Sequence, residues 1–163
     1  MRERKALLAA AVVAICAALL PGVASAKSAS GGVEALVPVK PSPTHEVGGF
    51  GAVWVLSQGN VSYVSRVDAT TNRVTAVVRL GYGELEGANG YDPLAIPITA
   101  GSGAVWTSDF FSNQVTRIDP STAKIVARID VGRSPTGIVA AFGDVFVANW
   151  QDASVSRIDP RVN

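Results

Sequence analysis

Residues 103–119 read GAVWTSDFFSNQVTRID, and both ends of this stretch occur twice more in the chain. Its start, GAVW, returns as GAVW at 51–54 and as GDVF at 143–146. Its end, TRID, returns as SRVD at 65–68 and as SRID at 156–159. The aromatic residue precedes the arginine by 12, 11 and 11 residues, so the landmarks keep both their order and their spacing. This recurrence indicates one structural unit that is repeated along the chain.

The repeated unit has the pattern of short β-strands. Residues 52–56, 61–67 and 74–80 are rich in valine and aromatic residues and are bounded by Gly, Asn, Asp and Thr, as strands between tight turns are. The sequence DPST at 119–122 favours a turn, because Asp accepts hydrogen bonds from its own backbone and Pro presets φ. No segment after residue 26 keeps a helical period. We therefore predict an all-β fold of β-propeller repeats, with about three blades' worth of four-stranded antiparallel sheets.

The repeat divides the chain into successive parts. The segment VPVKPSP at 37–43 aligns with IDVGRSP at 129–135, so the repeats begin with the outer strand of a blade. The predicted parts are an outer strand at 33–40, a blade at 43–80, a loop insertion at 81–92, a blade at 93–131 and an incomplete blade at 135–163. Since propellers close with about 4–8 blades, this chain is not expected to close alone.

Three explanations of this open array are compatible with the sequence. The chain is a fragment of a longer propeller, or two copies form a homodimer that completes a six-bladed ring, or the array stays open. In the homodimer, the N-terminal strand of one copy completes the three-stranded blade of the other and removes an unpaired sheet edge.

Residues 1–26 have the features of a secretory signal peptide. The basic start RERK at 2–5 precedes an uncharged apolar run at 6–20, which is shorter than the roughly 20 residues of a bilayer span. The small residues ASA at 24–26 form a cleavage pattern, so we expect the mature chain to begin at Lys27. The predicted location is therefore secreted or periplasmic.

The predicted repeat domain at 27–163 has no cysteine and holds 11 basic and 12 acidic residues. It can form neither a disulfide nor a thiolate metal site. Its balanced charge indicates no nucleic-acid partner and no membrane contact beyond the signal peptide. We predict no metal and no cofactor, because the acids Glu84, Glu86, Asp92 and Asp109 follow no defined calcium-binding spacing.

The motifs GAVW at 103–106, KIVARI at 124–129 and SRIDP at 156–160 resemble the YVTN propeller repeats. The segments VWT and QVTRI within the first quoted stretch also resemble the repeats of streptogramin (virginiamycin B) lyase. That second resemblance implies an alternative function, a magnesium-dependent C–O lyase whose catalytic blades are missing from this chain. Such lyases use histidines and a glutamate, whereas this chain has one histidine, His45, so their catalytic residues have no counterparts here. We therefore expect a scaffold rather than an enzyme.

The insertion at 81–92 separates two blades where the next connection is only GRS at 132–134. In a propeller such a connection shares a face with the loops between second and third strands. Exposed aromatic rings beside carboxylates and amides suit a sugar, a peptide or a cation. The predicted ligand-binding residues on this face are Tyr82, Glu84, Glu86, Tyr91, Asp92, Asp109, Phe110, Asn149, Trp150 and Asp152. The competing interpretation is a set of solvated loops with incidental aromatic residues.

Residues that are present in every repeat are expected to serve the scaffold. Trp54, Trp106 and Phe146 hold one equivalent position, which predicts packing between blades. The arginine of each repeat precedes an aspartate by two residues, which predicts a structural ion pair or a turn contact. The sequence thus favours a secreted or periplasmic propeller scaffold that binds a ligand or a protein partner through its loop face.

Overall fold

The computed structural model describes residues 33–81 and 97–162, and these residues form eleven β-strands and no helix. The predicted all-β class is confirmed for this part of the chain. The strands are β1 (Pro43–Gly49), β2 (Ala52–Ser57), β3 (Tyr63–Asp68), β4 (Arg73–Arg79), β5 (Ile98–Gly101), β6 (Ala104–Asp109), β7 (Gln114–Asp119), β8 (Lys124–Asp130), β9 (Pro135–Ala141), β10 (Asp144–Asn149) and β11 (Ser154–Ile158). The predicted signal peptide and residues 82–92 of the predicted insertion lie outside the described residues.

The strands form three antiparallel sheets in which neighbours in sequence are also neighbours in space. Sheet I contains β1 to β4, sheet II contains β5 to β8, and sheet III contains β9 to β11. Their strands fall within the predicted units at 43–80, 93–131 and 135–163. Because each strand lies directly beside the one before it, every sheet folds from one local segment of the chain.

Residues 33–42 precede β1 and contain no strand. The structure therefore differs from the sequence prediction, which placed an outer strand at 33–40. The backbone groups of a β-strand need a paired strand to satisfy their hydrogen bonds. Within the described residues, none of the three sheets pairs with this segment.

The glycine that opens each repeated motif belongs to a tight turn between the first and second strands of its sheet. Both turn residues have positive φ, with values from 48° to 85°, in the pairs Phe50 and Gly51, Ser102 and Gly103, and Phe142 and Gly143. Two consecutive residues of this kind make a type I′ turn, whose twist matches that of the flanking strands. Glycine fits the second position because it has no Cβ to clash there.

The aspartate that ends each repeated motif caps the turn after the third strand. Asp119 Oδ1 accepts hydrogen bonds from the Ser121 hydroxyl at 2.6 Å and from the amides of Ser121 and Thr122 at 2.8 and 2.9 Å. The Ser121 hydroxyl and these amides lower the pKa of Asp119 to about 2. Asp68 makes equivalent contacts in sheet I. The sequence predicted either a structural ion pair or a turn contact, and Asp68 and Asp119 both make the turn contact.

The two faces of each sheet are distinguished by the residues that alternate along its second strand. We name the face of Trp54, Trp106 or Phe146 the tryptophan face, and the opposite face the valine face, after Val53, Val105 and Val145. The tryptophan face of sheet I packs against the valine face of sheet II in one buried cluster. The tryptophan face of sheet II packs in the same way against sheet III. The three sheets are therefore stacked in one repeated orientation.

The tryptophan of each complete sheet is fixed by burial and by a hydrogen bond. Trp54 and Trp106 are fully buried, and their indole N–H groups donate to the carbonyls of Gly49 and Gly101 at 3.2 and 3.0 Å. The predicted packing role is confirmed for both residues. For Phe146 the prediction is wrong within the described chain, because no sheet covers the tryptophan face of sheet III and the ring is only partly buried.

Small residues let the first strands of adjacent sheets approach closely. A Cβ placed on Gly49 would lie 2.7 Å from the Cβ of Ala100 in sheet II. A Cβ placed on Gly101 would lie 2.8 Å from the Cβ of Ala140 in sheet III. Since real Cβ atoms do not approach to such distances, each of these contacts requires a glycine opposite the alanine.

Candidate functional site

The loops between the second and third strands all lie at one edge of the stacked sheets. We name this edge the loop edge, and it comprises residues 58–62, 110–113 and 150–153. The connection from sheet II to sheet III crosses the same edge, because the Val131 amide donates to the Asn113 carbonyl at 2.9 Å and the Trp150 amide to the Ser134 carbonyl at 2.9 Å. Antiparallel meanders place these connections together.

Three aromatic side chains from sheets II and III meet at the loop edge. The rings of Phe110 and Phe111 are 5.2 Å apart and nearly perpendicular, and those of Phe110 and Trp150 are 6.4 Å apart at an angle of 29°. Phe110 is half-buried against the core between sheets I and II. Phe111 and Trp150 are 61% and 68% exposed. The edge therefore presents a fixed aromatic surface, with Phe110 as its base.

The predicted site residues Asp109 and Asn149 are buried beneath this surface. Asp109 Oδ1 accepts a hydrogen bond from the Phe111 amide at 3.1 Å, which orients the aromatic loop. Asn149 Nδ2 donates to Ser154 Oγ at 3.1 Å and to Ser156 Oγ at 2.9 Å. Both residues therefore support the loops that hold the rings.

The predicted site residue Asp152 is paired with the connection between sheets II and III. Its carboxylate accepts hydrogen bonds from the amide and the Nε of Arg133, each at 2.6 Å. The Arg133 amide is the main cause that lowers the pKa of Asp152. The Ser134 amide donates to Asn113 Oδ1 at 2.8 Å and ties the same connection to sheet II. These contacts fix the relative positions of the loops that carry Phe111 and Trp150.

Buried polar atoms without a hydrogen-bond partner are concentrated in the same region of the described chain. They include Gln58 Oε1, Ser62 Oγ, Ser108 Oγ, Asp109 Oδ2 and Asn149 Oδ1. An unsatisfied buried polar group costs about 1–3 kcal/mol, and such groups in proteins are normally satisfied by water or a ligand. Because each of these atoms is shielded from solvent, a molecule that rests on the exposed rings does not reach them.

The structure brings together Phe110 and Trp150 from the predicted ligand-binding set. It places Asp109, Asn149 and Asp152 in supporting positions. The other predicted residues, Tyr82, Glu84, Glu86, Tyr91 and Asp92, lie outside the described residues. The list of predicted ligand-binding residues omitted Phe111. Its position between Phe110 and Ser112, in a loop that connects two strands, could have indicated that the ring is exposed. It also omitted Asn113 and Arg133, whose contacts depend on the neighbouring sheet.

Within residues 33–81 and 97–162, no group of three His, Cys, Asp or Glu side chains is arranged to hold a metal ion. In the same residues, no helix has the length and apolar character needed to cross a membrane. His45 lies in β1, and its Nδ1 is 3.2 Å from the Thr44 hydroxyl. The described loop edge thus offers exposed aromatic rings for contact.

No model of a known protein family matches this sequence, and no curated protein matches it. One similar solved structure is that of a protein of unknown function from Bacteroides caccae, with 17% sequence identity and a TM-score of 0.41. The match covers 67% of this chain and 42% of that chain. This chain thus spans less than half of that protein's length.

Proposed function

We propose that the three sheets are successive blades of a β-propeller array that is secreted or periplasmic and binds a ligand or protein partner at the loop edge. The array is supported by the repeated sheet topology and by stacking of each tryptophan face on the next valine face. The repeats of a propeller are arranged in this way around a central axis. The scaffold then holds the loops of successive blades side by side.

The aromatic surface of Phe110, Phe111 and Trp150 is the observation that carries the proposed binding function. Two of its rings are more than half exposed although exposed rings contribute little to folding. Its three rings come from two different blades, so only the assembled array forms the surface.

Among the ligands that suit aromatic rings, we propose an oligosaccharide. The flat apolar face of a sugar stacks on the exposed rings of Phe111 and Trp150, while its hydroxyl groups stay in contact with water. A simple cation is less suited, because the exposed carboxylate nearest to the rings in sequence, Asp152, is already paired with Arg133.

The test is binding of the labelled chain to an array of immobilised oligosaccharides, compared with an array of peptides. We expect Trp150→Ala and Phe111→Ala each to weaken oligosaccharide binding about tenfold, which corresponds to about 1.4 kcal/mol. The matched control is Val126→Ala, because Val126 is an exposed apolar residue of β8 that lies away from the loop edge. Unchanged binding by Trp150→Ala contradicts the site. Binding to peptides alone retains the site but identifies a protein partner.

The proposed location is tested by N-terminal sequencing of the secreted or periplasmic protein. The basic start, the apolar run and the small residues before Lys27 favour cleavage after Ala26. We therefore expect Lys27 as the first residue. Recovery of membrane-embedded chains that still begin with Met1 contradicts export as a cleaved protein.

A further inference from the structure

We propose that two copies of this chain associate head to tail, with the tryptophan face of sheet III packed on the valine face of sheet I of the other copy. This inference rests on the proposed propeller array and is independent of the proposed ligand. The two contacts within the chain, sheet I on sheet II and sheet II on sheet III, provide the template.

The uncovered face of sheet III has the features of the two covered tryptophan faces. Phe146 pairs with Val139 and Arg157 in the register in which Trp106 pairs with Thr99 and Arg117. Around Phe146, the residues Gly137, Ile138, Val139, Ala148 and Val155 line an apolar depression. The charge of Arg157 is balanced on this face by Asp144, whose carboxylate is 2.5 Å from an Arg157 nitrogen.

The uncovered face of sheet I has the features of the two covered valine faces. Val53 and Val67 pair across β2 and β3 as Val105 and Ile118 do across β6 and β7. Val105 and Ile118 are fully buried beneath sheet I. Val53 is only partly buried, Val67 keeps 8% exposure, and Val77 on the same face is 44% exposed.

The small residues of the two uncovered faces are complementary. In the contacts within the chain, Gly49 meets Ala100 and Gly101 meets Ala140. The register places Ala141 of sheet III at the glycine position, and it places Gly48 of sheet I at the alanine position. A Cβ on Gly48 meets no atom within 4 Å in the single chain. If Ala141 packs on Gly48 of another copy, this contact also pairs one alanine with one glycine, as the two contacts within the chain do.

The chain passes from residues 33–42 into sheet I in the way that it passes from β8 of sheet II into sheet III. Ser42 has φ 58° and its carbonyl accepts the Gln58 amide at 3.0 Å, while Ser134 has φ 55° and its carbonyl accepts the Trp150 amide at 2.9 Å. Residues 33–40 are thus directed to the outer position of a sheet stacked on sheet I. In the head-to-tail pair that sheet is sheet III of the other copy, whose edge strand β11 has no outer neighbour among the residues that the structure describes.

We expect two copies to close the stack. A head-to-tail contact forms a ring when its rotation closes and a filament when it does not. The described residues of two copies supply six sheets, which lies within the roughly 4–8 blades that close a propeller, whereas those of three copies supply nine. Glu46 is a charged departure on the valine face, because the equivalent positions hold Ile98 and Ile138. We expect this charge to weaken the contact.

The first test is cross-linking by cysteines placed at the complementary small residues. The chain that carries both Gly48→Cys and Ala141→Cys should form a disulfide-linked closed dimer. The equivalent Cβ positions within the chain are 2.7 and 2.8 Å apart, so a separation of the faces by about 1 Å brings the two Cβ atoms into the roughly 3.5–4.5 Å range of a disulfide. Each single substitution should form none. The mature chain provides no other cysteine.

Three other outcomes contradict the proposal. A covalent dimer from either single substitution indicates that like faces pack together. A ladder of larger species indicates an open filament, and a monomer in sedimentation at micromolar concentration without cross-links excludes association. Failure of oligosaccharide binding with an intact cross-linked dimer concerns the proposed ligand alone.

The second test uses the dimer of the full secreted chain in sedimentation. Phe146→Asp should weaken association at least about a hundredfold because it buries a charge at the contact, while the matched control Val126→Asp on β8 should leave it unchanged. Glu46→Ile should strengthen association about tenfold, as burial of one isoleucine predicts. Unchanged association in both Phe146→Asp and Glu46→Ile overturns the proposed faces.

Discussion

Sheets II and III carry the same repeated motif, yet equivalent residues in them have different surroundings. Trp106 and Phe146 occupy one register position, with the recurring arginine beside each. Trp106 is fully buried between two sheets, whereas Phe146 lies at an uncovered face. The aspartates Asp119 and Asp159 at the ends of the two motifs nonetheless make similar turn contacts. Local contacts thus repeat with the sequence, while burial depends on the neighbouring sheet.

The largest expected effect distinguishes these two aromatic positions. Trp106→Ala should lower the free energy of unfolding by about 3–5 kcal/mol because it leaves a cavity between two sheets. Phe146→Ala should lower it by only about 1 kcal/mol in the monomer, since much of the ring already contacts solvent. Urea unfolding at a concentration where the chain is monomeric measures both values. Equal losses would show that sheet III is covered in the single chain.

A smaller effect should separate two adjacent glycines of β1. Gly49→Ala should destabilise the fold by about 1–3 kcal/mol, because its Cβ would overlap that of Ala100 and push sheets I and II apart. Gly48→Ala is the matched control and should change the stability of the monomer by less than about 0.5 kcal/mol, since its Cβ meets open space. Thermal unfolding of the two variants compares them directly. Similar losses would contradict the close approach of the sheets.

The turn aspartates should make the stability of the fold depend on pH to the same extent in sheets II and III. Hydrogen bonds lower the pKa of Asp119, from the Ser121 hydroxyl first, and of Asp159, from the Arg161 side chain first, to about 2 in each case. Because the folded pKa lies below the ordinary value of 3.8, their contribution is present above pH 4 and is lost as the pH falls towards 2.

This pH dependence is measured by urea unfolding between pH 5 and pH 2. Asp119→Asn and Asp159→Asn should each reduce the loss of stability over that range, because the amide does not titrate. A loss that depends on Asp119 alone would show that the two turns differ in solution.

The smallest expected effect concerns the loop edge. Trp150→Ala and Phe111→Ala should each change the free energy of unfolding by less than about 0.5 kcal/mol, because both side chains are mostly exposed. Phe110→Ala should cost more, since Phe110 packs against the core between sheets I and II. Circular dichroism during thermal unfolding compares the three variants. A large loss for Trp150→Ala would indicate a structural role for the aromatic surface.

Part of the candidate site was predictable from the sequence and part was not. Phe110 and Trp150 stand in loops between predicted strands, so their place at one edge follows from the alternating direction of strands. The burial of Asp109 and Asn149 does not follow, because the sequence placed them in loops, whereas they are the last residues of β6 and β10. The pairing of Asp152 with Arg133 joins residues of different loops, and it depends on how sheet III lies against sheet II.

The sequence by itself determined the all-β class, the strand grouping and the local turns of this protein. Its repeated glycine permits the type I′ turn, and its repeated aspartate accepts the amides of the following turn, so both act within a few residues of the backbone. The tertiary structure alone decided which repeated aromatic residue is buried and where the sheets meet. The contacts of Trp106 with sheet III and of Gly49 with Ala100 join residues far apart in the chain. Such contacts depend on the orientation of whole sheets, which no short segment encodes.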